Sequence, residues 1–177
     1  MSTSGGGALE PAAGYPQGKL LALDVGLARI GVAVCDALHM TVRPLTVVHR
    51  RTRNDDFAVL ARLAGQEQVQ AVICGLPLNM DGSEGPQAQT TRKWAMRLAY
   101  ALRVLLGKPL PVIFWDERLT TAAAKELIAT HGASIRGERG EDAVAAAVLL
   151  QGYLDAAQRD DPVQYGRIDL PPSTGAA

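Results

Sequence analysis

Apolar residues arrive along this chain in short runs separated by Gly, Pro, Asn and Asp, a pattern of strands and helices joined by tight turns. Lys19–Asp24 is the first run, closed by Gly26, and Ile30–Cys35 is a second one rich in Val and Ile, so the two predict a hairpin. Thr41–His49 predicts a third strand, with Pro44 placing it at an edge or a bulge. Asn54 then reads as a helix cap, followed by Asp55 and Asp56 in the first turn and by Phe57, Leu60, Leu63 and Ala64 on one face.

Gln70–Gly75 is the next apolar run, and Asp81-Gly82 in the loop after it favours a tight turn. A long helix is expected from the Ser83–Pro86 region, with Trp94, Leu98, Leu102 and Leu105 as its apolar stripe. Pro111–Trp115 predicts a fifth strand, Thr120 caps a helix through Ile128, and Glu141–Ala157 forms a last helix. Three strands followed by alternating helices and strands give an α/β class, with a mixed five-stranded sheet flanked by helices. Residues 1–17 and 159–177 carry no such periodicity and read as flexible tails around one domain spanning 18–158.

Composition narrows the class of function. No stretch approaches the roughly 20 apolar residues of a membrane span, and no leader pattern opens the chain, so a cytoplasmic protein without a membrane partner is expected. Cys35 and Cys74 sit in apolar runs without CxxC spacing, as buried reduced thiols do. Lys plus Arg and Asp plus Glu balance at 18 each, so no overall field draws in a polyanion. Their distribution is uneven: Arg43, His49, Arg50, Arg51 and Arg53 fall close together, and Arg92, Lys93, Arg97 and Arg103 share a second segment. Each group reads either as a solvated face or as a phosphate-binding patch.

Candidate chemistry lies in the carboxylates. Asp24 ends the first apolar run, where ligands of open α/β sheets bind, although a turn-capping aspartate has the same signature. Glu117 stands just past the fifth strand, one residue before Arg118, with which it could form an ordinary surface pair. Steps of four, seven and eight residues from Asp142 reach Ala146, Leu149 and Leu150, so this carboxylate starts on an apolar face. There it needs a cation or hydrogen-bond donors, unless it lies in an exposed first turn and complements the helix dipole. Convergence of the three would make a hard oxygen-donor set suited to Mg²⁺ or Mn²⁺. Histidines 39, 49 and 131 are too scattered to suggest zinc.

The segments LLALDVGLARIGVAVCD, VICGLPLNMDGSEG, FWDERLTT and DAVAAAVLLQGYLD resemble, in this order, the motifs of the YqgF family of pre-16S rRNA nucleases and Holliday-junction resolvase-like proteins. The resemblance covers most of the chain between Leu20 and Asp155 and implies a ribonuclease H-like fold. It implies that Asp24, Glu117 and Asp142 bind catalytic metal, and that Arg29 and Asn79 lie in loops near the cleft where substrate phosphate is contacted. Arg118 is placed with them as a substrate-binding candidate, and Asp36 and Asp116 as turn or supporting groups. Glu141, immediately before Asp142, stands where relatives often carry an apolar residue.

The function so implied is a divalent-metal-dependent endonuclease trimming the 5′ end of precursor 16S rRNA, with precursor rRNA and ribosome-assembly factors as partners. A Holliday-junction resolvase, which would act as a symmetric dimer, and a non-catalytic nucleic-acid-binding transcription factor are the alternatives. Monomer and homodimer both stay open. An ATP-binding relative of actin and the sugar kinases also begins with a strand carrying Asp-x-Gly, but this chain has no second Gly-rich phosphate loop.

Overall fold

The computed structural model describes residues 14–118, 126, 129, 138–159 and 165–175, with the backbone alone at 138 and 139. Strands β1 (Leu20–Val25), β2 (Arg29–Cys35) and β3 (Val42–His49) form an antiparallel meander. Helix α1 (Arg53–Glu67) leads to β4 (Ala71–Leu76), and α2 (Pro86–Leu106) leads to β5 (Val112–Asp116). Both of these strands run parallel to β1. Helix α3 (Glu138–Gln158) and the short strand β6 (Arg167–Ile168) complete the described part.

The order across the sheet is β3-β2-β1-β4-β5-β6. Pro44 lies on the edge strand opposite a register irregularity at Val32/Ala33, where a missing backbone N–H costs no ladder bond. Side chains alternate between two cores. Leu21, Leu23, Val72, Cys74, Val112 and Phe114 pack under α1 and α2, whereas Leu20, Ala22, Ile73, Ile113 and Trp115 pack under α3. The central strands are apolar on both faces because helices cover both.

Several expectations need correction. The sheet has six strands among the described residues, not five, because Arg167–Ile168 pairs antiparallel with Val112–Ile113. Two residues are too few to show an alternating pattern in sequence, so a segment expected as a flexible tail supplies an edge strand with Ile168 buried. At the other end Tyr15, also expected in a tail, has its ring 5.5 Å from that of Tyr153. Residues 1–13 and most of the expected Thr120–Ile128 helix lie outside the described residues.

The cap of α1 is Thr52 rather than Asn54: its extended backbone precedes the helix, and its hydroxyl accepts from the Asp55 N–H at 3.2 Å. In α2, Trp94, Leu98 and Leu102 are buried as expected, but Leu105 is exposed because the last turn reaches past the core and Leu106 packs instead. Pro86 opens that helix, where its missing N–H would have had no intrahelical partner.

Candidate active site

The three expected carboxylates come to one end and one face of the sheet. Since β1, β4 and β5 are parallel, Asp24 near the end of β1 and Glu117 just after β5 share the carboxyl-terminal edge. Alternation decides the face. Leu20 and Ala22 point toward α3, as do Ile113 and Trp115, so Asp24 and Glu117, two residues further along, point there as well. Asp142 lies in the first turns of α3, ahead of the buried Ala146, Leu149 and Leu150.

Two glycines make the approach possible. Gly31 is the rung opposite Asp24 on β2, and a Cβ there would fall on the backbone carbonyl oxygen of Asp142. The start of α3 therefore rests directly on the sheet beside Asp24. Gly75 lies one residue beyond the last paired rung of β1 and β4, and a Cβ there would sit 3.0 Å from Glu117 Oε2 and 3.2 Å from Leu149 Cδ2. Glu117 is an exposed residue, yet its carboxylate lies down on the strand backbone at Gly75.

The electrostatics follow from this crowding. Burial raises the Asp24 carboxyl above its ordinary range, and the neighbouring Asp142 adds to the effect. Glu117 is pushed up to about 7 by burial, then by Asp24 and Asp116. Neither Asp24 nor Glu117 has an ion-pair partner among the described residues. Asp142 does have one, since Arg29 Nε donates to its Oδ2 at 2.7 Å.

The remaining candidates shape the rim. Arg118 pairs with Asp116, not with Glu117: its Nε donates to Asp116 Oδ1 at 3.0 Å and its Nη2 to Oδ2 at 2.8 Å. Its Nη1 donates to the carbonyls of Asn79 and Met80 at 2.8 and 2.9 Å, which ties the β4–α2 loop to the end of β5. Asp116 is fully buried, so this pairing is what compensates its charge. Asn79 stabilises that loop through Nδ2 donating to Ser83 Oγ at 3.0 Å. Asp36 is a turn group on the far side, accepting from the backbone N–H groups of Leu38, Met40 and Thr41.

The donor set suits a hard cation, because it is all oxygen and neither Asp24 nor Glu117 has a cationic partner among the described residues. Among the described residues, however, no three candidate ligands are drawn together into a ready-made cation site. Asp24 and Glu117 are available, while Asp142 is engaged by Arg29.

A family model described as Holliday junction resolvase, RuvX, matches residues 18–156. The chain belongs to the RuvX family. Among its relatives, a protein of Anaeromyxobacter dehalogenans named "Putative pre-16S rRNA nuclease" is 46% identical over 138 residues, covering 77% of this chain and 96% of that protein. A Synechococcus elongatus protein of the same name is 42% identical, covering 85% of this chain and 97% of the relative. The structure of Thermus thermophilus RuvC in complex with a Holliday junction substrate superposes with a TM-score of 0.55 at 16% identity, over 82% of this chain and 98% of that one. At that identity the likeness establishes the fold, which is the ribonuclease H-like α/β fold of RuvC.

The expected family and fold class therefore hold for this RuvX chain. Sequence reasoning missed Gly31 and Gly75, although both interrupt otherwise apolar strands and such glycines mark a close approach. It also missed the Asp116–Arg118 pair as the fastening of the rim loop, since Glu117 is the nearer carboxylate in sequence.

Proposed function

We propose that this protein is a divalent-metal-dependent endonuclease that processes the 5′ end of precursor 16S rRNA. The observation that carries the nuclease reading is the gathering of Asp24, Glu117 and Asp142 at one strand end and one face, with Glu117 pushed up to about 7 by burial and then by the negative charge of Asp24 and Asp116. The RNA substrate rests on the relatives' names and the family resemblance. Asp24 and Glu117 would hold Mg²⁺ or Mn²⁺, with Asp142 joining once Arg29 turns to substrate phosphate. Such an ion supplies an activated water and offsets charge developing at phosphorus.

The chain's own residues do the rest. Gly31 and Gly75 let the carboxylates close on Asp24, and the Asp116–Arg118 pair fixes the β4–α2 loop that forms the rim. Arg29 neutralises Asp142 in the free protein, and the same guanidinium suits a phosphate oxygen. No helix among the described residues is long and apolar enough to cross a membrane.

Resolution of four-way DNA junctions is the second reading, favoured by the family's description and by the RuvC-like fold. A precursor-like RNA with a 5′ extension and a four-way DNA junction, offered at equal salt with Mg²⁺ or Mn²⁺, decide between the two. RNA cleavage that EDTA stops is the expected result. Symmetric nicking of the junction with no RNA cleavage establishes the resolvase instead. Binding of either substrate without cleavage across several metals points to a non-catalytic nucleic-acid-binding protein.

A further inference from the structure

The fold brings together the two basic segments that are far apart in sequence. Arg50, Arg51 and Arg53, at the β3–α1 junction, face Lys93, Trp94 and Arg97 of α2 across a cleft of about 520 Å³. In a chain of zero net charge this is a local concentration of cations. Arg51, Arg53, Lys93 and Arg97 are exposed, and none has a carboxylate partner among the described residues. Arg50 is different. It is held beside the buried Asp56 at 3.8 Å and over the Trp94 ring at 5.9 Å, so it serves as part of the wall.

Two further observations point to an anionic occupant. Trp94 lines the cleft, and its buried indole N–H has no acceptor among the described residues, a costly arrangement that an acceptor oxygen would relieve. The cleft also reaches the turn at the end of β1, at the same strand end as the carboxylates though on the opposite face of the sheet. Arg50 donates through Nη1 to the Gly26 carbonyl at 2.8 Å and through its backbone N–H to Ala28, and Leu27 of the same turn lines the cleft. That turn joins Asp24 to Arg29. Leu27, three residues from Asp24, lies at most about 11 Å along the chain from it.

Resting on the nuclease reading above, we propose that this cleft carries the phosphodiester backbone of the substrate strand on one side of the cleaved bond. Its two cationic walls grip consecutive phosphates, and the Trp94 indole donates to a phosphate oxygen. Contacts of this kind fix register on the backbone without reading sequence.

The test uses the full chain carrying Asp24→Asn, so that bound probe is not consumed. Affinity for a single-stranded RNA, an RNA duplex and a four-way DNA junction is measured over a range of salt. One variant pair neutralises the first wall (Arg51→Gln with Arg53→Gln) and another the second (Lys93→Gln with Arg97→Gln). Arg62→Gln with Lys108→Gln, outside the cleft, serves as the charge-matched control. Each wall pair is expected to weaken single-strand binding about tenfold and to flatten the slope of log affinity against log salt by roughly 1.4, about 0.7 for each lost phosphate contact. The control pair should change the slope by much less. Trp94→Phe, which keeps an aromatic ring and removes the donor, is expected to weaken binding a few fold at unchanged slope.

Normal binding with a slope that neither wall pair alters more than the control overturns the cleft and leaves the nuclease reading standing. An effect from one wall alone also overturns it, since a gripping cleft needs both. Failure of the Asp24→Asn protein to bind any of the three probes removes the nuclease reading and the cleft with it. The probe whose slope changes most identifies which nucleic acid the cleft holds.

Discussion

Two glutamates at opposite ends of the sheet show how one side-chain type is put to different uses. Glu67, at the end of α1, receives Lys19 Nζ at 2.6 Å and Arg43 Nη2 at 3.1 Å, and these donors hold its carboxyl below the ordinary range. Glu117, at the carboxyl-terminal end of the strands, has no cationic partner among the described residues and is pushed up to about 7 by burial, then by Asp24 and Asp116. At one end the chain meets Glu67 with its own cations, and at the other Asp24 and Glu117 meet none among the described residues. A carboxylate left in this way costs stability unless a ligand corrects it, which is why we propose this end as the place for a cation.

The largest effect that should separate the two ends is on cleavage. Asp24→Asn keeps the shape and removes a charge, so hydrolysis should fall by about 10²-fold or more, as loss of several kcal/mol of transition-state stabilisation requires. Glu67→Gln should cut at the parent rate. Equal losses in both variants, measured as single-turnover rates with folding followed by circular dichroism, would break the comparison. Next in size is Gly31→Ala, whose methyl would land on the Asp142 carbonyl and push α3 off the sheet. A stability loss of about 1–3 kcal/mol is expected, accompanied by slower cleavage, because Asp142 moves with its helix. An unchanged urea midpoint would show that the close contact between α3 and β2 is not required.

Much of this was legible from periodicity. The first five strands and the start of α2 follow from apolar runs of the right length between Gly, Pro and Asp, and Asp24 stands out because it closes one of those runs. Local pattern could not reveal what depends on distant partners. Arg29 carries no sign that it meets Asp142, 113 residues away. Arg118 is nearer in sequence to Glu117 than to Asp116, yet it pairs with the latter, whose carboxylate is fully buried at the end of β5. The strand at Arg167–Ile168 exists because β5 offers an edge, and Arg51 meets Lys93 only because α1 and α2 share one face.

A smaller effect sharpens the comparison through pH. Glu117 has a folded pKa of about 7 against an ordinary value of 4.5, so the folded chain holds a proton that the unfolded chain has already released. Its contribution to stability is fully present below about pH 4.5 and is lost as pH rises through 7. Glu117→Gln should therefore match the parent near pH 4.5 and exceed it at pH 8. The excess should be about 1 kcal/mol or less, because the residue is partly exposed to solvent. Mg²⁺ at pH 8 should stabilise the parent more than the variant. A variant that is less stable than the parent at pH 8 without metal would show that Glu117 is compensated after all.

The smallest effect runs with the opposite sign at the other end. Glu67 is held below its ordinary value of 4.5 by hydrogen bonds from Lys19 and Arg43, so the unfolded chain takes up a proton before the folded one does. The stability it confers is present above about pH 4.5 and is lost as pH falls through the lowered folded value. Glu67→Gln should thus cost stability at pH 7, and the cost should vanish in acid where the parent carboxyl is itself protonated. Its size should be a few tenths of a kcal/mol and under about 1, since both cations are partly solvated and ion pairs at the surface gain little. Raising salt should shrink it further by screening. Thermal melts of parent and variant at pH 7 and in acid, each at low and high salt, measure all three features. A cost that persists undiminished in acid would assign Glu67 to packing instead of charge, and the contrast between the two ends of the sheet would then rest on Glu117 alone.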